Sequence, residues 1–286
     1  MQSEVISYFR AHGRPLPWRE PGTSPWGVLV SEVMSQQTPV SRVAPVWLEW
    51  MERWPTPEAF AAAGPDEVLR AWGSLGYPRR ALRLHECAKV VVERHSGVVP
   101  GDVDTLLALP GIGAYTARAV ACFAYDKNVA VVDTNVRRVY ARAVEGVFLA
   151  HPHAGEISAV EALLPERDGP VFSAGLMELG ALVCQARAPR CERCPISQRC
   201  AWLAAGRPEP DAEQLRRRKV QKFIGTDRQV RGKIMKLIRS SPGAVTTAQV
   251  EEVWPDAEQR ARALDSLLDD GLAVRTPEGT IGLPRM

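Results

Sequence analysis

Four cysteines fall within seventeen residues, in the pattern Cys184-x6-Cys191-x2-Cys194-x5-Cys200. No other feature of this 286-residue chain restricts its folding so tightly, because four thiols this dense draw their stretch of backbone to one centre. Four thiolates suffice for a tetrahedral zinc or for a four-iron, four-sulfur cluster. Structural zinc sites usually pair two close cysteine couples, so gaps of six, two and five lean towards one [4Fe-4S] cluster. Clustered cysteines in a cytosolic chain more often bind metal than form disulfides. The N-terminal MQSEVISYFR carries an early Glu and no long apolar stretch, which argues against a secretory leader. Cys87 and Cys122 sit alone in Ala-rich helical stretches and read as small buried hydrophobes.

The length predicts roughly two domains. Apolar residues at 45% and charged residues at 24% exclude collagen-like, coiled-coil and wholly disordered chains. No run of 18 apolar residues occurs, so no spanning helix is expected and the chain reads as soluble and cytoplasmic (nucleoid-associated if bacterial). Net charge is only +3, so affinity for nucleic acid must come from where Lys and Arg sit.

Helical periodicity dominates up to about residue 205, punctuated by Pro and Gly. One helix is predicted over 67–72 with Asp66 as its N-cap, and another from Arg80 to about His95. Val129–Val132 is the only short β-branched run in the first two hundred residues, a candidate strand too isolated to build a sheet. From Gly206 the composition turns basic, with Arg216, Arg217, Arg218, Lys219 and Lys222. Beyond it, Val230, Ile234, Leu237 and Ile238 form one apolar stripe, and Leu264, Leu267 and Leu268 another, ended by Gly271 at C′. Leu272–Arg275 and Thr280–Leu283 flank a turn at Thr276–Gly279, so 227–286 predicts a winged-helix-like module.

A second motif is Leu109-Pro110-Gly111-Ile112-Gly113-Ala114-Tyr115-Thr116-Ala117, in which a Gly-x-Gly turn joins two apolar helices. Glycines let the backbone approach a ligand, and a helix N-terminus offers free N–H groups to a DNA phosphate. About twenty residues on comes Val132-Asp133-Thr134-Asn135, where an Asp after an apolar run most often caps a helix.

Taken in order, LPGIGAYTA, VVDTNVRRV and the cysteine cluster resemble the helix-hairpin-helix DNA glycosylases of the endonuclease III superfamily, and more closely their adenine-DNA glycosylase (MutY type) branch. Leu16-Pro17-Trp18-Arg19, Ser31 to Thr38, Leu75-Gly76-Tyr77 and Met177 to Cys184 match as well, and the matches span residues 14 to 200. The segments around Glu32 and Glu178 point to the adenine branch.

The resemblance implies an all-α helix-hairpin-helix glycosylase core, a six-helix lobe plus an iron–sulfur lobe, followed by the small winged-helix-like module. The expected division is 1–22 and 138–205 for the iron–sulfur lobe and 23–137 for the six-helix lobe. A basic linker at 206–226 and the terminal module at 227–286 complete it. The implied reaction is hydrolysis of the N-glycosidic bond of adenine mispaired with guanine or 8-oxoguanine, leaving an abasic site. Purine release builds positive charge on the sugar and needs a proton on the base, so two carboxylates are wanted. Glu32 matches the acid that protonates adenine at N7, and Asp133 the carboxylate beside the sugar cation.

Tyr115 stands where bifunctional relatives place a Schiff-base lysine, and a phenol forms no such adduct, so a monofunctional enzyme is implied. Asn135, Tyr115 and Glu178 match residues that line the adenine pocket or assist the sugar. Tyr77 matches a wedge in the base stack, and Gln36, Gln37 and Thr38 a loop probing the opposite strand. Arg19, Gly111 and Gly113 complete the expected DNA contacts, and Cys184, Cys191, Cys194 and Cys200 the cluster ligands. Basic residues around the cluster (Arg187, Arg190, Arg193, Arg199) are placed to reach phosphates and make binding salt-dependent. The expected partner is mismatched double-stranded DNA, with no membrane, and a monomer is the default.

The chain departs from the family at Ser35, usually leucine, and at Thr134, usually glycine. Typical members also carry a NUDIX-like C-terminal domain that recognises 8-oxoguanine, and about sixty residues after the linker are too few for one. Two rival readings remain at this stage: a glycosylase removing T or U opposite G, and a non-catalytic iron–sulfur DNA-binding protein.

Overall fold

The computed structural model describes residues 1–148, 152–210 and 223–285. Arg216, Arg217, Arg218, Lys219 and Lys222 of the basic linker therefore lie outside the described residues. Within them the chain is helical, save for a two-stranded hairpin near the end. No helix is long and apolar enough to cross a membrane among the described residues.

Contacts gather into two compact units. One holds the described residues among 1–28, 101–107 and 112–219, the other those among 29–100, 108–111 and 220–286. This differs from the expected lobes: residues 112–137 cluster with the cysteine-bearing part, because α8 (Ala114–Tyr125) and α9 (Thr134–Tyr140) both pack on α11 (Gly169–Leu182).

In the first unit α11 is the central helix. Its sequence GPVFSAGLMELGAL is apolar on nearly every side, as a helix surrounded by others must be. Phe172, Leu176 and Leu179 meet Val5 and Ile6 of α1 (Gln2–His12) and Val136 and Val139 of α9. Small residues set these crossings. A Cβ on Gly175 would lie 2.7 Å from Cγ1 of Val5, and one on Gly180 would lie 2.6 Å from Cβ and 2.8 Å from the carbonyl oxygen of Asn135. The Val129–Val132 run is not a strand. It is a connector with Ala130 and Val131 buried, since no partner strand is at hand.

In the second unit, α3 (Val40–Arg53), α4 (Pro57–Ala61), α5 (Pro65–Trp72) and α6 (Arg79–His95) close around Trp50, Phe60 and Trp72. Their rings meet edge-on or tilted, with Trp50 centroids 5.1 Å from Phe60 and 5.7 Å from Trp72. Helix α5 starts two residues earlier than predicted: Gly64 is the N-cap, Pro65 takes the first helical position, and Asp66 falls within the first turn. Proline's fixed φ and missing N–H suit that first position.

The C-terminal residues of this unit form α13 (Asp227–Ser240), α14 (Thr247–Glu251), α15 (Ala257–Asp269), β1 (Val274–Arg275) and β2 (Ile281–Gly282). The strands pair antiparallel with Val274 opposite Gly282, and Val245 bridges to Ile281, a winged-helix arrangement. Gly271 at φ +66 ends α15 as expected. The N–H of Leu272 bonds the carbonyl of Leu267, and that of Gly271 the carbonyl of Leu268. Leu69 of α5 belongs to the same core as Val230, Ile234 and Leu267.

The crossing at Gly180 is the tightest constraint near Asp133, and its neighbour there is backbone. Gly180→Ala should therefore destabilise the fold by about 1–3 kcal/mol. Gly243→Ala, whose Cβ meets nothing within 4 Å, should leave the urea midpoint near that of the wild type.

Candidate active site

Asp133 caps α9, as its place in the sequence predicts. Its Oδ1 accepts from the backbone N–H groups of Asn135 at 2.8 Å and Val136 at 2.7 Å, and the Asn135 side chain donates to Oδ2 at 2.7 Å. Three donors fix the half-buried carboxylate in one orientation. Asn135 is itself held by Arg138, whose Nη2 donates to its Oδ1 at 2.7 Å. The same guanidinium, only 8% exposed, also reaches the carbonyls of Gly180 at 2.7 Å and Cys184 at 2.6 Å. Burial pulls its pKa down, and the acceptors take up the donors it would otherwise leave bare.

Glu178 is fully buried on α11 and belongs to a different constellation. Its Oε1 accepts from Nε of Arg14 at 2.5 Å and from the Arg14 backbone N–H at 3.1 Å, and Oε2 accepts from Arg19 at 3.2 Å. Burial works against its ionisation, yet the Arg14 bonds and the Arg19 charge outweigh it and hold the carboxyl below its ordinary range. Both oxygens are thereby occupied, and Glu178 sets the position of Arg19.

Glu32 is buried on α2 (Pro25–Ser35), in the second unit. The loop that follows carries Gln36, half-buried, Gln37, exposed at φ +56, and Thr38, buried. Thr38 donates through Oγ1 to the carbonyl of Leu75 at 3.0 Å, tying this loop to the turn at Tyr77. Tyr77 has φ +48 and is 38% exposed. Non-glycine residues in left-handed conformation store strain, and such strain gathers at functional sites. Arg80 binds both loops. It donates to the carbonyls of Val33 at 2.8 Å, Met34 at 3.0 Å and Gln36 at 2.5 Å, and to Oγ1 of Thr38 and the carbonyl of Gly76. Burial lowers its pKa to about 10, so it stays charged at neutral pH.

In the hairpin, Gly111 has φ +75, and a Cβ there would lie 2.9 Å from Cβ of Arg83. Gly113 is the exposed N-cap of α8, with open space where its Cβ would be. Tyr115, half-buried in the first turn of α8, packs with Met177 against Cys122 and Val131.

The four clustered cysteines line one chamber with Val183, Pro189, Trp202 and Leu203. Arg142, 1% exposed, forms part of its wall. Nη1 lies 3.5 Å from Sγ of Cys184 and donates to the carbonyl of Gln185 at 2.8 Å, and the guanidinium sits 4.8 Å from the Trp202 ring centroid. Burial pushes the Cys194 thiol up to about 11 and raises Cys184 as well. Arg187, Arg190, Arg193 and Arg199 are all exposed around this loop.

The structure thus joins Asp133 to Asn135 and, through Arg138, to the cysteine loop. It joins Gln36, Thr38 and Tyr77 through Arg80, and sets Glu178 with Arg19. Sequence reasoning missed Arg14, Arg80, Arg138 and Arg142. A signal exists for the last two, which stand i, i+4 among the apolar Val139, Ala141 and Ala143, where a solvated charge is unexpected.

Residues 30–145 match the family model described as HhH-GPD superfamily base excision DNA repair protein. The chain is 59% identical to the adenine DNA glycosylase of Mycolicibacterium smegmatis over 282 residues, covering 98% of this chain and 94% of that protein. The structure of a thermostable thymine-DNA glycosylase superposes with a TM-score of 0.66 at 30% identity, covering 71% of this chain and 94% of that one. An endonuclease III trapped with DNA gives 0.63 at 23% identity, covering 72% and 95%, a likeness of fold.

A group with a lowered folded pKa contributes stability above its unfolded value and loses it as pH falls through the folded one. Glu178→Gln should therefore lower stability at pH 7 by about 1.5–3 kcal/mol. The gap from wild type should close as pH drops below the ordinary carboxylate range. Urea unfolding at pH 7 and pH 3.5 checks both halves.

Proposed function

The chain belongs to the adenine DNA glycosylases of the HhH-GPD base excision repair superfamily, and from that premise we propose how its own residues run the reaction. It is a DNA glycosylase that releases adenine. The non-catalytic reading of the cysteine cluster therefore falls away. Its substrate, in this proposal, is adenine paired with guanine or 8-oxoguanine in duplex DNA, and it acts as a monomer on genomic DNA in the cytoplasm.

Glu32 donates a proton to N7 of the extruded adenine. The bond between N9 and the sugar then breaks with its electron pair leaving on the base. Asp133 stabilises the cation left on the sugar, and water supplies the hydroxyl that completes the abasic site. The observation that carries this reading is the three-donor clamp on Asp133, which orients one carboxylate rigidly at a helix start. Tyr115 offers no amine, so cleavage of the strand is not expected. Gly111 and Gly113 let the hairpin backbone meet a phosphate. Tyr77 and the Gln36–Thr38 loop, strained and braced by Arg80, are suited to enter and probe the base stack.

The cysteine chamber fits a [4Fe-4S] cluster held by Cys184, Cys191, Cys194 and Cys200. All four cysteines line one space, and the Arg142 guanidinium 3.5 Å from Sγ of Cys184 would offset the charge of thiolate ligands there. When bound, the cluster supplies a cross-link between four points of this loop and so orders the exposed arginines for phosphate contact.

Two measurements test these readings. Single-turnover base release on A:8-oxoG, A:G, T:G and U:G duplexes should show adenine release from the first two. Glu32→Gln and Asp133→Asn should each abolish it while the duplex is still bound. Asn caps a helix as well as Asp does, so loss in Asp133→Asn reports the charge and not the fold. Release of T or U alone would favour the likeness to the thymine-DNA glycosylase instead. Purified protein should be yellow-brown with about four irons per chain, and a colourless zinc protein would overturn the cluster.

A further inference from the structure

The second unit encloses a cleft of about 910 Å³ between the Tyr77 turn and helix α13. Its walls are held firmly. Arg70 donates to the carbonyl of Ser241 at 2.7 Å, Arg79 pairs with Asp270 at 3.0 Å, and Leu69 sits in the core of the C-terminal module.

Charge in this cleft is one-sided. Arg83, Arg228, Lys233 and Lys236 are exposed on its walls, and none pairs with a carboxylate of the described residues. The one acidic lining residue, Asp270, is taken up by Arg79 at 3.0 Å and Arg231 at 2.6 Å. Aromatic faces stand among the cations: the Arg228 guanidinium lies 4.6 Å from the Tyr77 ring centroid and 5.7 Å from that of Phe223. A basic groove with interleaved aromatic rings is the make-up of a nucleic-acid strand binder, where rings stack bases and cations follow phosphates.

A second observation is independent of charge. Gly232 lies mid-helix in α13, exposed, on the cleft wall, between Arg228 and Lys236 at spacings of four. Its φ is ordinary and a Cβ there would meet nothing within 4 Å, so neither backbone nor packing requires a glycine. Glycine weakens a helix interior relative to alanine, and its use here fits the close approach of something outside the protein.

We propose that this cleft is a channel for the DNA strand opposite the adenine. Arg83, Arg228, Lys233 and Lys236 grip its phosphates, Tyr77 and Phe223 stack its bases, and Gly232 lets the backbone of that strand lie against α13. The strand assignment rests on the reading of Tyr77 and the Gln36–Thr38 loop given above, since Gln36 and Gln37 line the same cleft. The winged-helix module is thereby a working part of the DNA site.

The test uses the full chain and a duplex carrying a non-cleavable adenine analogue opposite 8-oxoguanine. The triple variant Arg228→Ala/Lys233→Ala/Lys236→Ala should lose at least about tenfold in affinity, with the slope of log affinity against log salt reduced by about 2–3. Gly232→Ala should melt no lower than wild type and still bind several-fold more weakly, a combination that a purely structural glycine would not give. Iododeoxyuridine beside the 8-oxoguanine should photocrosslink to Tyr77 or Phe223. Unchanged affinity and slope in the triple variant would overturn the channel, and crosslinking from the adenine strand alone would overturn the strand assignment. Base release by wild type is followed in parallel. If adenine is not released while the binding differences hold, the reaction fails and the channel stands.

Discussion

The buried guanidinium of Arg138 is the contact on which the first unit's chemistry depends. It lies where α9 crosses α11, at a point that Gly180 keeps open, and it holds Asn135, Gly180 and Cys184 at once. Burying a charge without acceptors is prohibitive, so the acceptors and the cation must come together as the helices close. Asp133 then inherits its orientation from Asn135, and the cysteine loop begins at a carbonyl already pinned. The candidate sugar-side carboxylate and the first cysteine are therefore two ends of one hydrogen-bonded chain, although 51 positions separate them in sequence.

The second unit uses the same device with a different purpose. Arg80 sits against the C-terminal end of α2, where carbonyls lack intrahelical partners and the helix dipole favours a cation. By gathering the carbonyls of Val33, Met34 and Gln36 together with Thr38 and Gly76, it holds two loops in conformations that Gln37 and Tyr77 would not adopt alone. Strain of this kind persists only where the surroundings over-determine it. In both units a guanidinium that donates to backbone oxygens and to one uncharged side-chain oxygen, with no carboxylate, does the holding. Such contacts keep their strength whatever the protonation state of nearby acids.

Much of this was legible in the sequence, and the reasons divide cleanly. The cysteine spacing, the Pro-Gly-x-Gly turn, Asp133 as a cap and Gly271 as a helix end are local patterns, each set by the chemistry of a few adjacent residues. The terminal stripe of Val230, Ile234 and Ile238 was readable because it repeats at helical period. What escaped depends on residues distant in the chain. The partners of Glu178 could not be read from its own segment, since Arg14 and Arg19, which occupy both its oxygens, lie more than 150 positions away. Arg80 escapes because nothing local announces a cage of carbonyls. Arg228 to Arg239 read as a charged face, while the cleft they line is made by the Tyr77 turn, α6, α13 and α15 together.

The two departures from the family pattern fall where the backbone is indifferent to them. Thr134 opens α9 with its side chain exposed, and its φ is not among the positive values in which glycine would be needed. The neighbouring carboxylate is oriented by the N–H groups of Asn135 and Val136, one and two residues further on, so a β-branched residue at 134 leaves that clamp whole. Ser35 closes α2 and is half-buried, and its carbonyl accepts the N–H of Thr38 at 3.2 Å, a bond made by main chain whatever side chain stands there. Loop geometry at both places is thus written by caps and by Arg80, and the side chains at 35 and 134 are free to vary with what the surface meets.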